Sequence, residues 1–231
     1  DFKADEVRMQ AFSPGGTSVF GTKEALQLKM LNSVAGLGGL GNFSNVDLEK
    51  VLAGKKASVS ASVNGLTERI GGSCSPKDLE TLMQLVYLTF TAPRMDDAAF
   101  ESFKQRTNAS LAIQEADPSV ALIDTLQNEM YGNHPMAMRV KADMIDQIDY
   151  NRIMEMYKDR FQEAGDFTFF FVGNINLEEA KPLIETYLGG LPTINRKENF
   201  KDIQMDIQKG AHKNIFEKQM ETPKATVISI I

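Results

Sequence analysis

Cysteine and histidine are scarce in this sequence: Cys74 stands alone among 231 residues, and His134 and His212 are the only imidazoles. A single cysteine excludes an intrachain disulfide. Placed in an expected strand, it reads as a small buried hydrophobe rather than a nucleophile. Two histidines so far apart exclude any zinc motif that needs two imidazoles on one short helical face. Positive charge is also in deficit, with 25 lysines and arginines against 31 acids and a net charge of −6. A nucleic-acid partner is therefore not expected, because it would need a basic face to replace phosphate counterions. Long apolar runs are missing as well: stretches such as Phe169–Val172 fall far short of the ~20 residues of a membrane-spanning helix. What remains is the balance of a globular chain, 42% hydrophobic and 24% charged, able to bury a sizeable core.

The chain begins at Asp1 without a methionine, and Ala225–Ile231 reads as a strand that has not finished. It is expected to be a piece of a longer protein.

From Glu6 to Phe12 apolar and polar residues alternate, with Val7, Met9 and Ala11 on one side, the period of a half-buried strand. Ser13-Pro14-Gly15-Gly16 breaks it. From Lys23 a helical period places Leu26, Met30, Leu31 and Val34 on one face, before the chain dissolves into Ala35–Gly41. A short helix over Asp47–Leu52 ends at Gly54. Ala57–Asn64 and Leu66–Cys74 read as two strands joined at Asn64-Gly65, a hairpin signal. Ser75-Pro76-Lys77-Asp78 opens a helix with capping-box spacing and proline in the first turn. Leu79, Leu82, Met83, Val86, Tyr87 and Phe90 give that helix one continuous apolar face.

A second long helix starts near Asp96-Asp97 and carries Phe100, Phe103 and Leu111; Asp117-Pro118 interrupts it and starts another that runs to about Tyr131. After Gly132-Asn133-His134-Pro135, a helix is expected over roughly Ala142–Phe161. Phe167–Val172 has little alternation and reads as a central strand covered on both faces. Asn176 caps a helix that ends at Gly189-Gly190, and Pro192 prevents its continuation. Thr193–Asp206 is polar and reads as a connecting segment. Strands are expected near Lys213–Met220 and Ala225–Ile231. Strands and helices are partly segregated, so the expected class is α+β: a mixed, largely antiparallel sheet against several long helices. One domain over 1–231 is expected, with about 193–231 as linker and terminal strands leading toward a next domain.

Phe169-Phe170-Phe171-Val172-Gly173-Asn174-Ile175, then Leu177-Glu178-Glu179-Ala180, then Tyr187-Leu188-Gly189-Gly190-Leu191-Pro192 resembles the pitrilysin/insulinase family of zinc metallopeptidases. So does Ser75–Arg94, a leucine-rich helix leading to Phe-Thr-x-Pro, and so does the helical block broken at Asp117-Pro118. The order of these segments covers nearly the whole chain. The resemblance implies repeated homologous domains, four per protein or two chains of two, that form hinged bowls around a chamber for unfolded peptides. The first domain of such proteins carries His-x-x-Glu-His and a distant glutamate ligand. Two histidines and that glutamate hold zinc, and the motif's own glutamate acts as general base on the metal-bound water.

This chain lacks that motif. Matching Gly41-Asn42 to the family's Gly-Thr puts Asn32, Ala35 and Gly36 in the three functional slots. The distant glutamate would fall near Asn108–Leu111, where there is no carboxylate; Glu115 is the nearest acid. No catalytic, cofactor-binding or metal-binding residue is therefore assigned, no cofactor is expected here, and zinc is expected in a separate catalytic domain. The resemblance points to the third of four domains, opening the C-terminal half. Expected partners are the catalytic half of the same protein and unfolded peptide substrate, with no nucleic acid and no membrane span. The expected compartment is the bacterial cell envelope or periplasm. The alternative is a scaffold subunit that has lost all protease function.

Three sharper motifs weaken on inspection. Gly36-Leu37-Gly38-Gly39-Leu40-Gly41 follows a helix rather than a strand, so it is not a dinucleotide fingerprint; it reads as a flexible or tight linker that by position could line a chamber. His134, His212 and Glu115 are separate in sequence and read as surface or capping residues. Glu115, Asp117 and Asp124 flank a helix break and read as solvated charges rather than an acid–base pair. The twelve methionines suit core filling.

Overall fold

The computed structural model describes residues 5–218 and 224–230. Strand β1 (Val7–Pro14) alternates buried and exposed side chains along its length, as the sequence period requires. It sits inside a four-stranded antiparallel sheet of order β2-β3-β1-β4, with β2 at Ala57–Val63, β3 at Thr67–Cys74 and β4 at Thr168–Gly173. Helices α1 (Ala25–Val34), α3 (Leu79–Thr91) and α6 (Tyr150–Phe161) cover one face of it. The core is built where they meet: Val7 and Met9 of β1, Leu31 and Val34 of α1, Leu82, Met83 and Val86 of α3, and Ile153, Met156 and Phe161 of α6. Buried methionines recur among them, filling gaps that branched side chains fit less well. Helix α2 (Asn45–Val51) is tied to the glycine-rich loop, where the Asn45 amide donates to the Gly36 and Leu37 carbonyls at 3.0 and 3.1 Å. The long pair α4 (Asp97–Glu115) and α5 (Pro118–Tyr131) carries few buried residues, and α4 packs against the 3₁₀ turn Ala142–Gln147. The last helix, α7 (Leu177–Leu183), runs into a π-turn over Ile184–Leu188.

Caps set most helix starts. Ser44, Asp96, Asp117, Asp149 and Asn176 each accept a bond from a backbone N–H in the first turn, satisfying donors a helix start otherwise leaves unpaired. At Ser75 the sequence suggests a capping box, yet the carboxylate of Asp78 accepts from the Ser75 hydroxyl at 2.6 Å and from the Lys56 backbone N–H at 2.9 Å. These two contacts tie α3 to the entrance of β2.

The structure departs from the sequence-based expectations in four places. The hairpin turns at Gly65-Leu66 rather than Asn64-Gly65, because Asn64 still pairs with Thr67 at 2.8 Å. Backbone N–H groups of Gly15, Thr17 and Ser18 donate to the carbonyls of Leu66, Asn64 and Gly65, and this docking fixes the turn. The helix expected over Ala142–Phe161 is two elements, since Ile148 is extended and Asp149 caps α6 afresh. Strand β4 is an edge strand, not a central one. Phe170 and Val172 are 49% and 52% exposed on the outer face, where Phe170 stacks on Phe12 at 5.8 Å; Phe169 and Phe171 pack on the core from the inner face, so only one face is covered. Finally, residues 213–218 and 224–230 form no strand. A strand needs a neighbouring edge to bond, and these residues meet none among those described; 219–223 and Ile231 lie outside the described residues.

The glycine-rich loop is a tight connection. Gly39 adopts φ +92° and Gly41 φ +58°, conformations that favour glycine. Gly41 N–H donates to Ala92 and Arg94 N–H donates to Gly39, while a Cβ on Gly38 would lie 2.0 Å from the Arg94 carbonyl oxygen. Replacing Gly38 by alanine should destabilise the chain by about 2–3 kcal/mol through overpacking. Gly36→Ala, with open space around it, should be close to neutral. Urea unfolding midpoints of the two variants compare the sites.

At the end of α6 the buried carboxylate of Glu163 accepts from the hydroxyl of Thr193 at 2.5 Å and from the backbone N–H groups of Arg196, Ile194 and Gly165 at 2.7–3.0 Å. These bonds, the Thr193 hydroxyl foremost, pull its pKa from 4.5 down to about 2. A depressed carboxylate stabilises the fold above its unfolded pKa, and that contribution is lost as pH falls through the folded value. The stability profile should therefore decline between about pH 4.5 and 2. In Glu163→Gln the decline over that window should be shallower, as read from urea midpoints against pH.

Candidate functional site

The three slots that would hold the zinc motif face one cavity. Asn32, Ala35 and Gly36 line a space of about 390 Å³ together with Leu40, Leu48 and Leu52, strand β2 from Ala57 to Ala61, and Leu85, Thr89 and Tyr157. The volume is at the lower end of ligand pockets. Its walls come from α1, the glycine-rich loop, α2, β2 and α3. Burial pushes the Tyr157 phenol well above its ordinary pKa, and its hydroxyl donates to the Thr89 carbonyl at 3.2 Å, so it serves as a neutral wall.

Asn32 is the one polar side chain among the three slots, and its amide is already used. Its Oδ1 accepts from Val63 N–H at 2.8 Å and its Nδ2 donates to Val63 C=O at 3.0 Å. The side chain thus occupies the edge of β2 as a neighbouring strand would. Ala35 and Gly36 carry no donor atoms. The residues present do not fit a zinc ion. Among the described residues, no group of three His, Cys, Asp or Glu side chains is placed to hold a metal.

The other sequence-level candidates are dispersed. Asn108 donates to the Ala142 carbonyl at 3.0 Å, and Glu115 accepts from Ala142 N–H at 2.8 Å. Arg139 makes a two-pronged pair with Asp124, both contacts 3.0 Å, and reaches Glu115 at 3.5 Å. Asp117 caps α5, which lowers its pKa through the Ser119 N–H and hydroxyl. These carboxylates tie helices together and do not form an acid–base pair. His134 Nδ1 accepts from Met136 N–H at 3.2 Å and its Nε2 meets the Ile203 carbonyl at 3.2 Å; His212 Nε2 meets the Lys209 carbonyl at 3.1 Å. Nothing brings the two histidines and Glu115 into one site.

What the sequence did not reveal is the edge of β2. In an antiparallel pair, backbone groups alternate between the partner strand and the other side. Lys56 and Asn64 bond toward β3, at Ser75 and Thr67, so in this register Ala57, Val59, Ala61 and Val63 turn their N–H and C=O outward. Val63 is satisfied by Asn32. The outward groups of Ala57, Val59 and Ala61 have no protein partner among the described residues, and this stretch lines the cavity. Alternation alone hinted at a strand there, but which side stays open depends on the hairpin register and on a contact 31 residues apart.

Asn32→Ala should lower stability by about 1–3 kcal/mol, because it strands two backbone groups of Val63. Asn32→His should not create a zinc site, as Ala35 and Gly36 still offer no ligands. Urea melts and zinc titration by calorimetry test the pair.

Residues 147–231 match the family described as Peptidase M16 inactive domain. Over 195 residues the chain is 27% identical to the zinc protease PQQL-like of Arabidopsis thaliana, covering 83% of this chain and 18% of that protein. It is 22% identical over 200 residues to the probable zinc protease PqqL of Haemophilus influenzae, with 87% and 21% covered. Among solved structures, the periplasmic protease PqqL from Escherichia coli superimposes with a TM-score of 0.71 at 18% identity, over 90% of this chain and 22% of that one. A peptidase M16 inactive domain from Pseudomonas fluorescens does so with 0.65 at 13% identity, over 87% and 49%. The chain thus spans about a fifth of the length of the curated relatives it matches. The resemblance read from its motifs and their order is borne out.

Proposed function

We propose that this chain, a non-catalytic domain of the pitrilysin/insulinase (M16) family of zinc metallopeptidases, binds a short extended stretch of peptide substrate along β2 while a separate catalytic domain of the same protein cuts it. The observation that carries this is the open edge at Ala57, Val59 and Ala61 beside a largely apolar cavity. An extended peptide satisfies such an edge by adding a strand: main-chain bonds give affinity, and alternate side chains enter the pocket and give preference. Ala57, Val59 and Ala61 are small, and Leu40, Leu48, Leu52 and Leu85 supply the floor, so the favoured residues are apolar and uncharged. Asn32 stops the added strand at Val63. The occupied segment is therefore about five residues long, matched to the stretch from Ala57 to Ala61.

In the same reading the chain is the third of four domains, opening the C-terminal half, with the catalytic half of the protein as its partner and zinc held there. Relatives of this chain are zinc proteases by name, and one of similar fold is periplasmic, which supports a cell-envelope location. Among the described residues no helix is long and apolar enough to cross a membrane.

Val59→Pro is the direct test. The Val59 N–H points away from β3, so proline removes an edge donor without cutting the hairpin ladder. A fluorescein-labelled, uncharged peptide of alternating valine and threonine should bind the chain, and its affinity should fall at least tenfold in Val59→Pro while the urea midpoint changes little. Equal binding by both proteins would move the peptide elsewhere. No binding by either would favour the scaffold role instead.

A further inference from the structure

Thr193–Gln208 has no helix or strand, and its side chains are mostly exposed, as expected of a loose linker. Its backbone is not loose. Ile194 and Arg196 N–H groups and the Thr193 hydroxyl are all taken by Glu163. Glu198 meets the guanidinium of Arg160 at 2.7 Å; Arg160, with its side chain 2% exposed, is also held by Asp159 and lies over the Phe20 ring at 5.1 Å. Arg196 donates to the Asp159 carboxylate at 2.8 Å and to its carbonyl at 2.6 Å. Lys201 N–H donates to Ser18 Oγ at 2.9 Å, and its ammonium reaches the Val19 carbonyl at 3.1 Å. Further on, Ile203 meets His134, and Gln208 N–H donates to the Met130 carbonyl at 2.7 Å.

Beyond Gln208 the character changes. Gly210 adopts φ +104°, residues 209–218 are exposed, and among the described residues the tie back to the helices is a surface bond from Asn214 to Glu129 at 2.7 Å.

We infer that Thr193–Gln208 is a strap clasped to the domain by Glu163 and Arg160, and that the hinge for whatever follows lies at Lys209–Lys218 rather than at the end of the last helix. The strap runs from the end of α6 past the turn at Ser18 to the end of α5, so it carries the chain across the domain before releasing it. Motion of the residues beyond Gln208 would then pivot about Gly210, and the domain and strap would move as one body.

Trypsin separates this account from simple exposure, because both segments carry exposed cleavage sites. Arg196, Lys197 and Lys201 lie in the strap; Lys209, Lys213 and Lys218 lie in the hinge. Backbone held by several bonds must open locally before a protease can cut it. Under native conditions the 231-residue chain should be cut at Lys209, Lys213 or Lys218 at least tenfold faster than at Lys197 or Lys201. Glu163→Gln should raise cleavage at Arg196 and Lys197 at least tenfold with little change at Lys209. Thr193→Ala, which removes one bond, should raise it less and serves if Glu163→Gln fails to fold. Equal rates at Lys197 and Lys209 in the unaltered chain would overturn the strap. Unchanged strap cleavage in both variants would overturn the clasp.

Discussion

Asn32 closes both ends of its amide on the backbone of Val63, and this contact pins α1 to the end of β2. It does three things at once. It satisfies the last outward-facing pair of the edge strand, whose burial without partners would cost free energy. It consumes the one side chain in the three slots that could have served a metal. It also leaves Ala57, Val59 and Ala61 as the part of the edge still open, beside a cavity to which Leu40, Leu48, Leu52 and Leu85 contribute apolar wall. In the proposed function, that open stretch is where an extended peptide rests.

The same logic of satisfied backbone runs through the rest of the fold. Asp78 joins α3 to β2 through Lys56, the loop from Gly15 to Ser18 caps the hairpin, and the glycine-rich loop meets residues 92–94 backbone to backbone. Charges serve as fasteners. Asp124 and Glu115 hold Arg139, and Glu163 gathers four donors from two segments. Arg160 sits over Phe20, joined to Glu68 at 3.5 Å, and burial raises the pKa of that glutamate despite the Gly16 N–H it accepts.

The sequence displayed those features that depend on local period and capping. The alternation of β1, the apolar face of α3 and the break at Asp117-Pro118 all appear where the residues suggested. Features decided by distant partners were not visible. Phe167–Val172 resembled a strand buried on both faces because apolarity alone does not distinguish packing inside a core from stacking on an outer face with Phe12. Asp149 could have continued a helix or capped one, and Ile148 settled it by extending. The strands expected at the end of the chain have the right alternation but no edge to join among the described residues. At the site, the loss of both imidazoles was plain from two histidines; the use made of Asn32 was not, because it depends on which side of β2 the hairpin register leaves open.

The proposed function is a division of labour, in which this chain binds peptide and a separate half cuts it. Zinc content and hydrolysis of an unfolded peptide, measured for the chain alone and for the chain mixed with the catalytic half of the same protein, test it most directly. The account predicts no stoichiometric zinc and no cleavage by the chain alone, with faster cleavage by the mixture than by the catalytic half alone. Stoichiometric zinc on this chain, or cleavage without its partner, would contradict it.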